Sequence, residues 1–272
     1  MRRMFATLAL VVLLGATAAQ AAPPADAPET APKAPAQAAT AAKAPDITPE
    51  TKSALDATCA FLKAQPVMAF RAEIAQDEVY PKGQTVQTNR VLDVVLKRPD
   101  KLYARVTGDG RDRLFVYDGK TATRVDLDKG VYAVLAAPPT VDALLDMLAS
   151  QYGVSAPLSD ILYADPCKSM LDNVRVGDTL GDHLAAGRSC RHLYFTQANA
   201  DWQLWIENGK QPVPRKLVII DKEKMGWPQY EATFVRFDFH PRLAPGLFTY
   251  TPAKNMRKID FLPVGATQAG EK

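Results

Sequence analysis

The sequence has few of the residues from which catalytic and metal sites are built. Only three of its 272 residues are cysteine and three are histidine. His183, His192 and His240 do not stand at the spacings of metal ligands, and no G-x-S-x-G nucleophile motif occurs. Gly108-Asp109-Gly110 lies between two predicted strands, which indicates a hairpin turn and not a phosphate loop. We therefore expect no metal, no cofactor and no catalytic residue; an active site assembled from distant residues is the alternative.

An excess of one charge is also lacking. The chain has 33 Lys+Arg and 30 Asp+Glu, and without Arg2 and Arg3 the basic residues number 31. Nucleic-acid binding requires a basic surface, which this balance excludes. The sequence also has no Lys/Arg-rich amphipathic helix that would hold it on a membrane surface.

No apolar run reaches the roughly 20 residues that cross a bilayer. The run at 5–14 follows Arg2 and Arg3 and leads to the small residues of Ala19-Gln20-Ala21, an order typical of a secretory signal peptide. We predict that residues 1–21 are a signal peptide cleaved after Ala21, with a retained signal anchor as the alternative. The first cysteine is Cys59, too far along the chain for a lipid-anchored lipoprotein.

Composition divides the rest of the chain. Residues 22–46 are almost entirely Ala and Pro, so they cannot bury enough apolar surface to fold and are predicted to be a disordered linker. A cell-wall or membrane tether is the alternative. Residues 47–262 have the size of one large domain, and residues 263–272 are predicted to be a disordered tail.

Helical patterns occur twice in the domain. Thr48, Pro49 and Glu50 are typical of a helix start, and Pro66 ends that helix. A second helical pattern covers 140–173, where Leu144 and Leu148 belong to one apolar stripe.

Strand patterns fill the remainder, separated by short polar turns that favour antiparallel hairpins. We predict eleven strands and a short twelfth at 248–251; the eleven are 67–79, 84–97, 101–107, 111–117, 121–126, 131–135, 174–180, 188–197, 201–207, 215–221 and 229–239. So many strands should curl, and so few helices can cover only one face. The predicted fold is α+β, mainly antiparallel β: a strongly curved half-open barrel with helices on its concave side. A β-sandwich is the alternative.

Two of these strands are apolar on both faces, so both faces need cover. We expect one face and the inserted helix to border a ligand cavity, with Trp202, Leu204, Phe234, Tyr230, Leu144 and Leu148 as its candidate lining. The face that carries Trp205 and Phe237 is the alternative, because register cannot be read from one sequence.

Several segments resemble a known family: Tyr117-Asp118-Gly119-Lys120-Thr121, Asp201 to Gly209, Pro214-Arg215-Lys216-Leu217-Val218-Ile219, Pro228-Gln229-Tyr230 and Phe248-Thr249-Tyr250-Thr251-Pro252. They are similar to predicted periplasmic bacterial proteins catalogued as domain of unknown function 2092. That family resembles in fold the Lol-type lipoprotein carriers LolA and LolB. The resemblance implies a periplasmic protein with a hydrophobic cavity closed by helices, and it implies no reaction.

The resemblance also bears on the cysteines. Cys59 and Cys167 look like additions to the family pattern, whereas a cysteine at the position of Cys190 looks common. Both added cysteines lie at predicted helices that should pack on one face of the sheet. We therefore predict a Cys59–Cys167 disulfide and a buried free Cys190, with Cys167–Cys190 as the competing pair.

The function that fits is a non-catalytic, monomeric periplasmic carrier or binding protein for a lipid or a lipoprotein acyl chain. It would act by burying apolar surface under a movable helical lid. The alternative is an envelope sensor or protein-interaction module, for which we expect a filled core and an exposed apolar patch.

Overall fold

A computed structural model describes residues 45–154 and 156–264. The predicted signal peptide, the predicted linker up to residue 44 and the predicted tail from residue 265 lie outside the described residues. Of the predicted linker, Asp46 is described and belongs to a short strand.

The described residues form thirteen strands and three α-helices. The strands are β1 (Asp46–Ile47), β2 (Val67–Val79), β3 (Thr85–Lys97), β4 (Lys101–Gly108), β5 (Arg111–Tyr117), β6 (Thr121–Asp126), β7 (Val131–Ala136), β8 (Val176–Ala185), β9 (Arg188–Thr196), β10 (Ala200–Glu207), β11 (Pro214–Asp221), β12 (Gln229–Asp238) and β13 (Arg257–Lys258). The helices are α1 (Pro49–Lys63), α2 (Val141–Tyr152) and α3 (Pro166–Met170), and a 3₁₀ turn covers Ser159–Leu162.

All thirteen strands belong to one sheet, in the order β1-β8-β9-β10-β11-β12-β2-β3-β4-β5-β6-β7-β13. The long strands pair antiparallel, and only the two-residue edge strands β1 and β13 pair parallel among those described. The sheet is open because its edge strands do not meet. The predicted antiparallel, curved and unclosed sheet is confirmed, with thirteen strands where about eleven were expected, and the sandwich alternative is wrong.

The predicted short strand at 248–251 does not form. The backbone N–H and the hydroxyl of Thr249 both donate to the Gly246 carbonyl at 3.0 Å, which closes a local turn. Those groups are then not free to join a ladder with a neighbouring strand.

Helix α1 begins as predicted, but Thr48 does not cap it by accepting a backbone N–H. Its hydroxyl lies 2.8 Å from the Thr51 hydroxyl and 3.3 Å from Asp178 Oδ1. In α2 the cap does form, because Thr140 Oγ1 accepts from the backbone N–H of Ala143 at 3.2 Å.

A disulfide joins Cys59 of α1 to Cys167 of α3, with 5.6 Å between their Cα atoms. Cys190, on β9, is free and fully buried. The predicted pairing and the predicted buried thiol are confirmed. Burial also raises the pKa of the Cys190 thiol, which keeps it protonated and unreactive.

A β-bulge in β12 changes the predicted face of Phe237. The register shifts between Phe234 and Arg236, so that Phe237 lies opposite Phe70 on the inner face. The ring centroids of Phe234 and Phe237 are 5.5 Å apart. Strict alternation placed Phe237 with Trp205, and one inserted residue reverses that assignment.

The outer face around Trp205 is covered by side chains of the sheet itself. Trp205 stacks on His192 at 3.8 Å between ring centroids, and Lys216 Nζ lies 5.4 Å from the Trp205 ring centroid. Neighbouring strands therefore supply the cover that the apolar pattern predicts for Trp205 on this face.

None of the helices in the described part of the chain is long and apolar enough to cross a membrane.

Candidate functional site

A cavity of about 720 Å³ lies between the concave face of the sheet and α2 with the segment that follows it. Strands β2 to β6, β11 and β12 line it from one side. Leu145 and Leu148 of α2, with Val154, Leu158 and Leu162, line it from the other. A cavity with walls from strands this far apart in the sheet requires the sheet to curve around it.

One row of side chains in the cavity wall is apolar. Phe70 of β2 lies opposite Val94 of β3, Val94 opposite Ala104 of β4, and Ala104 opposite Phe115 of β5. All four line the cavity. Because side chains alternate between faces, they form one inward-facing row across four strands.

Another part of the cavity wall is cationic. Four arginines line it: Arg90 on β3, Arg111 and Arg113 on β5, and Arg124 on β6. Arg90 lies two residues from Leu92, and Arg113 two residues from Phe115, so each points inward like its apolar neighbour. Polarity therefore rises along β3 and β5 from the apolar row toward Arg90 and Arg113, while Arg124 lies opposite Phe115 at the end of that row.

A second cavity of about 20 Å³ is lined by Trp202, Leu204 and Phe234, among others. Its size suits a single water molecule and not an acyl chain. Trp202 is 1% exposed and stacks on Phe195 with 3.9 Å between ring centroids.

The candidate residues are thus distributed over two places. Tyr230 and Leu148 line the large cavity, whereas Trp202, Leu204 and Phe234 line the small one. Leu144 is fully buried in the core and lines neither. Contact of any of these side chains with a ligand stays a prediction.

Sequence reasoning did not identify the cavity wall built by β3 to β6. The signal was present in the alternation of β3, where Arg90 falls in phase with Leu92, Val94 and Leu96. An arginine in the inward phase of a strand indicates a polar cavity wall, because an isolated charge is not buried in a filled core.

Burial disfavours ionisation at Tyr230. Its pKa is raised well above the ordinary value, mainly by removal of the phenol from water, while the charge of Arg90 acts in the opposite direction. The phenol is therefore neutral at physiological pH and offers the cavity an apolar ring with one hydroxyl. No group of three or more His, Cys, Asp or Glu side chains in the described residues is placed to hold a metal ion.

Comparisons with known proteins give a family and a set of solved structures. A model of the family described as "Predicted periplasmic protein (DUF2092)" matches residues 51–262. The comparison with curated proteins gave no match.

The solved structures are distant. An uncharacterized conserved protein from Thermus thermophilus is 12% identical with a TM-score of 0.47, over 78% of this chain and 99% of that chain. Lipoprotein LppX of Mycobacterium tuberculosis is 12% identical with a TM-score of 0.44, over 72% and 98%. A LolA superfamily protein from Nitrosomonas europaea is 11% identical with a TM-score of 0.38, over 74% and 97%. Similarities at this level carry no assignment of function.

Proposed function

The chain belongs to the DUF2092 family of predicted periplasmic proteins, and from this premise we propose that it is a non-catalytic periplasmic carrier or binding protein for a hydrophobic ligand. The ligand class is a lipid or the acyl chain of a lipoprotein. The observation that carries the proposal is the cavity of about 720 Å³ with its row of apolar side chains.

The volume of the cavity supports a ligand of moderate size, since small-molecule sites span roughly 300–1,000 Å³. Each methylene transferred from water to such a wall contributes about 0.8 kcal/mol. An acyl segment of about ten methylenes would therefore contribute about 8 kcal/mol before the costs of ordering it.

Few backbone hydrogen bonds join α2 to the rest of the domain, and its buried apolar side chains hold it against the core. The backbone N–H of Val141 donates to the carbonyl oxygen of Pro99 at 2.8 Å, and the backbone N–H of Val264 donates to the carbonyl oxygen of Gln151 at 2.9 Å. Gly153, with a φ of 61°, ends α2 in a left-handed conformation. Movement of α2 about its ends would open the cavity to a ligand.

The carrier proposal is tested by filling the cavity. Ala104 is half-buried in the apolar row, and Ala104→Phe places a ring in the space proposed for the acyl chain. We expect the affinity for a fluorescent fatty acid to fall at least about tenfold, which corresponds to about 1.4 kcal/mol. Fluorescence titration of the delipidated protein measures this.

Ala75→Phe is the matched control. Ala75 lies on β2 next to Ile74 and therefore faces outward, and it is half-buried like Ala104. Its substitution should leave the affinity unchanged. If the unsubstituted protein binds no fatty acid at micromolar concentration and no lipid is found in native mass spectrometry of the periplasmic protein, the carrier proposal is wrong.

One observation favours the interaction module as a second candidate. Met225 and Trp227, in the loop between β11 and β12, are 77% and 61% exposed. Lys224 and Pro228 of the same loop line the cavity. An exposed apolar loop beside the cavity suits contact with a partner protein, and this function takes precedence if no lipid binds.

A further inference from the structure

The four cavity arginines carry more positive charge than their partners neutralise. Glu78 accepts from both Arg90 Nη2 at 2.8 Å and Arg111 Nη2 at 3.1 Å. Asp126 lies 3.3 Å from Arg113 Nε. Four guanidinium groups therefore share two carboxylates.

Arg124 is the guanidinium without a partner. Arg124 is an exposed residue that also lines the cavity, and in the part of the chain that the structure describes it has no hydrogen bond and no ion pair. Burial and the charge of Arg113 lower its pKa, while Asp126 acts against them. A cation held beside another cation in a partly enclosed space is one that a bound anion would stabilise.

The position of Arg124 connects these two parts of the cavity wall. Arg124 of β6 lies directly opposite Phe115 of β5, and Arg113 is two residues from Phe115 on the same inward face. A ligand lying along the apolar row would thus end between Arg113 and Arg124. The cross-strand neighbours Arg113 and Asp126 stand one step further along the strands.

We propose that the carried ligand is an anionic amphiphile, whose phosphate or carboxylate headgroup is bound by Arg124 with Arg113 while its acyl chain lies along the apolar row. Guanidinium groups bind phosphate and carboxylate in bidentate geometry, which suits both headgroups. The inference rests on the proposed carrier function and adds the charge of the ligand to it.

The test compares two lipids with the same acyl chain, one with an anionic phosphate headgroup and one with an uncharged headgroup. The exported, delipidated protein is titrated by calorimetry with lysophosphatidylglycerol and with a monoacylglycerol of the same acyl chain, each below the concentration at which it aggregates. We expect at least about tenfold tighter binding of the anionic lipid. Arg124→Gln should remove most of that preference while leaving the affinity for the uncharged lipid unchanged.

Two further variants make the test specific. Arg236→Gln removes an exposed arginine that lies opposite Arg71 in the sheet, away from the cavity lining, and should change nothing. Arg124→Lys keeps the charge and should retain part of the preference, which also covers the case in which Arg124→Gln fails to fold.

Each result decides a separate point. Equal affinity of the unsubstituted protein for the two lipids overturns the headgroup assignment and leaves the carrier function standing. No binding of either lipid overturns the carrier function and this inference with it. If inorganic phosphate alone binds as tightly as the anionic lipid, the arginines form a site for a free anion and the lipid assignment is wrong.

Discussion

His192 is a buried histidine with a hydrogen-bond partner at each ring nitrogen. Its Nε2 lies 3.0 Å from Gln203 Oε1 and its Nδ1 lies 2.9 Å from His183 Nδ1. In the neutral ring, Nε2 donates to the glutamine oxygen and Nδ1 accepts from His183 Nδ1. Burial lowers the pKa of His192, and the charges of His183 and Lys216 act in the same direction, against the hydrogen bond to Gln203.

This residue predicts a stability that falls on acidification. Its folded pKa is below the unfolded value of about 6.5, so the unfolded state binds more protons as the pH falls. The contribution of His192 to the free energy of unfolding is therefore present above the unfolded pKa and is lost as the pH falls through the folded pKa. The free energy of unfolding is measured in urea at about pH 7 and at about pH 5. It should fall less between these pH values in His192→Gln than in the unsubstituted protein. His240→Gln, at an exposed position, serves as control, and an equal pH dependence in all three proteins would refute the assignment.

Only part of the cavity wall could be predicted from its single residues. The phase of Arg90 with Leu92 and Val94 could be read from the sequence. That this strand shares a cavity wall with Phe115 and Arg124 could not be predicted. Alternation shows on which face of the sheet a side chain lies, but it does not show how far the sheet curls. Trp202 is a predicted lining residue, yet its ring packs on Phe195 beside a cavity of only about 20 Å³.

At the scale of the elements, the long strands were predicted because their turns and alternation are local signals. Two-residue strands such as β1 and β13 carry no such signal and depend on their partners, Val176–Gly177 and Val131–Tyr132. The bulge in β12 could not be predicted either, since one extra residue leaves no pattern in the composition of the strand.

The disulfide between α1 and α3 predicts a sensitivity to reduction. It spans a separation of 108 residues, and a loop of about 100 residues corresponds to about 4.7 kcal/mol in the chain-entropy account. We expect Cys59→Ala with Cys167→Ala to lower the free energy of unfolding by about 2–5 kcal/mol. A reductant should destabilise the unsubstituted protein and leave the double variant unchanged. An equal effect of the reductant on both proteins would contradict this, as would a Cys167–Cys190 peptide in non-reducing peptide mapping.

At the scale of the whole molecule, an Ala- and Pro-rich segment at residues 22–46 precedes the domain matched by the family model. We expect N-terminal sequencing of the exported protein to begin at Ala22, because Ala19 and Ala21 occupy the small-residue positions before the cut. Native mass spectrometry should give a monomer. A protein that begins at Met1 and stays in the inner membrane would show that the signal is retained.

The pairing of β12 with β2 has a consequence for synthesis and export. Strand β2 pairs on one side with β3, its neighbour in sequence. Its partner on the other side is β12, which begins only at Gln229. Until the carboxyl-terminal part of the chain has emerged, the hairpins β2 to β7 present an unpaired backbone edge to other chains. A fragment that stops short of Gln229 keeps that edge permanently, so premature termination should produce self-associating chains instead of a smaller soluble domain.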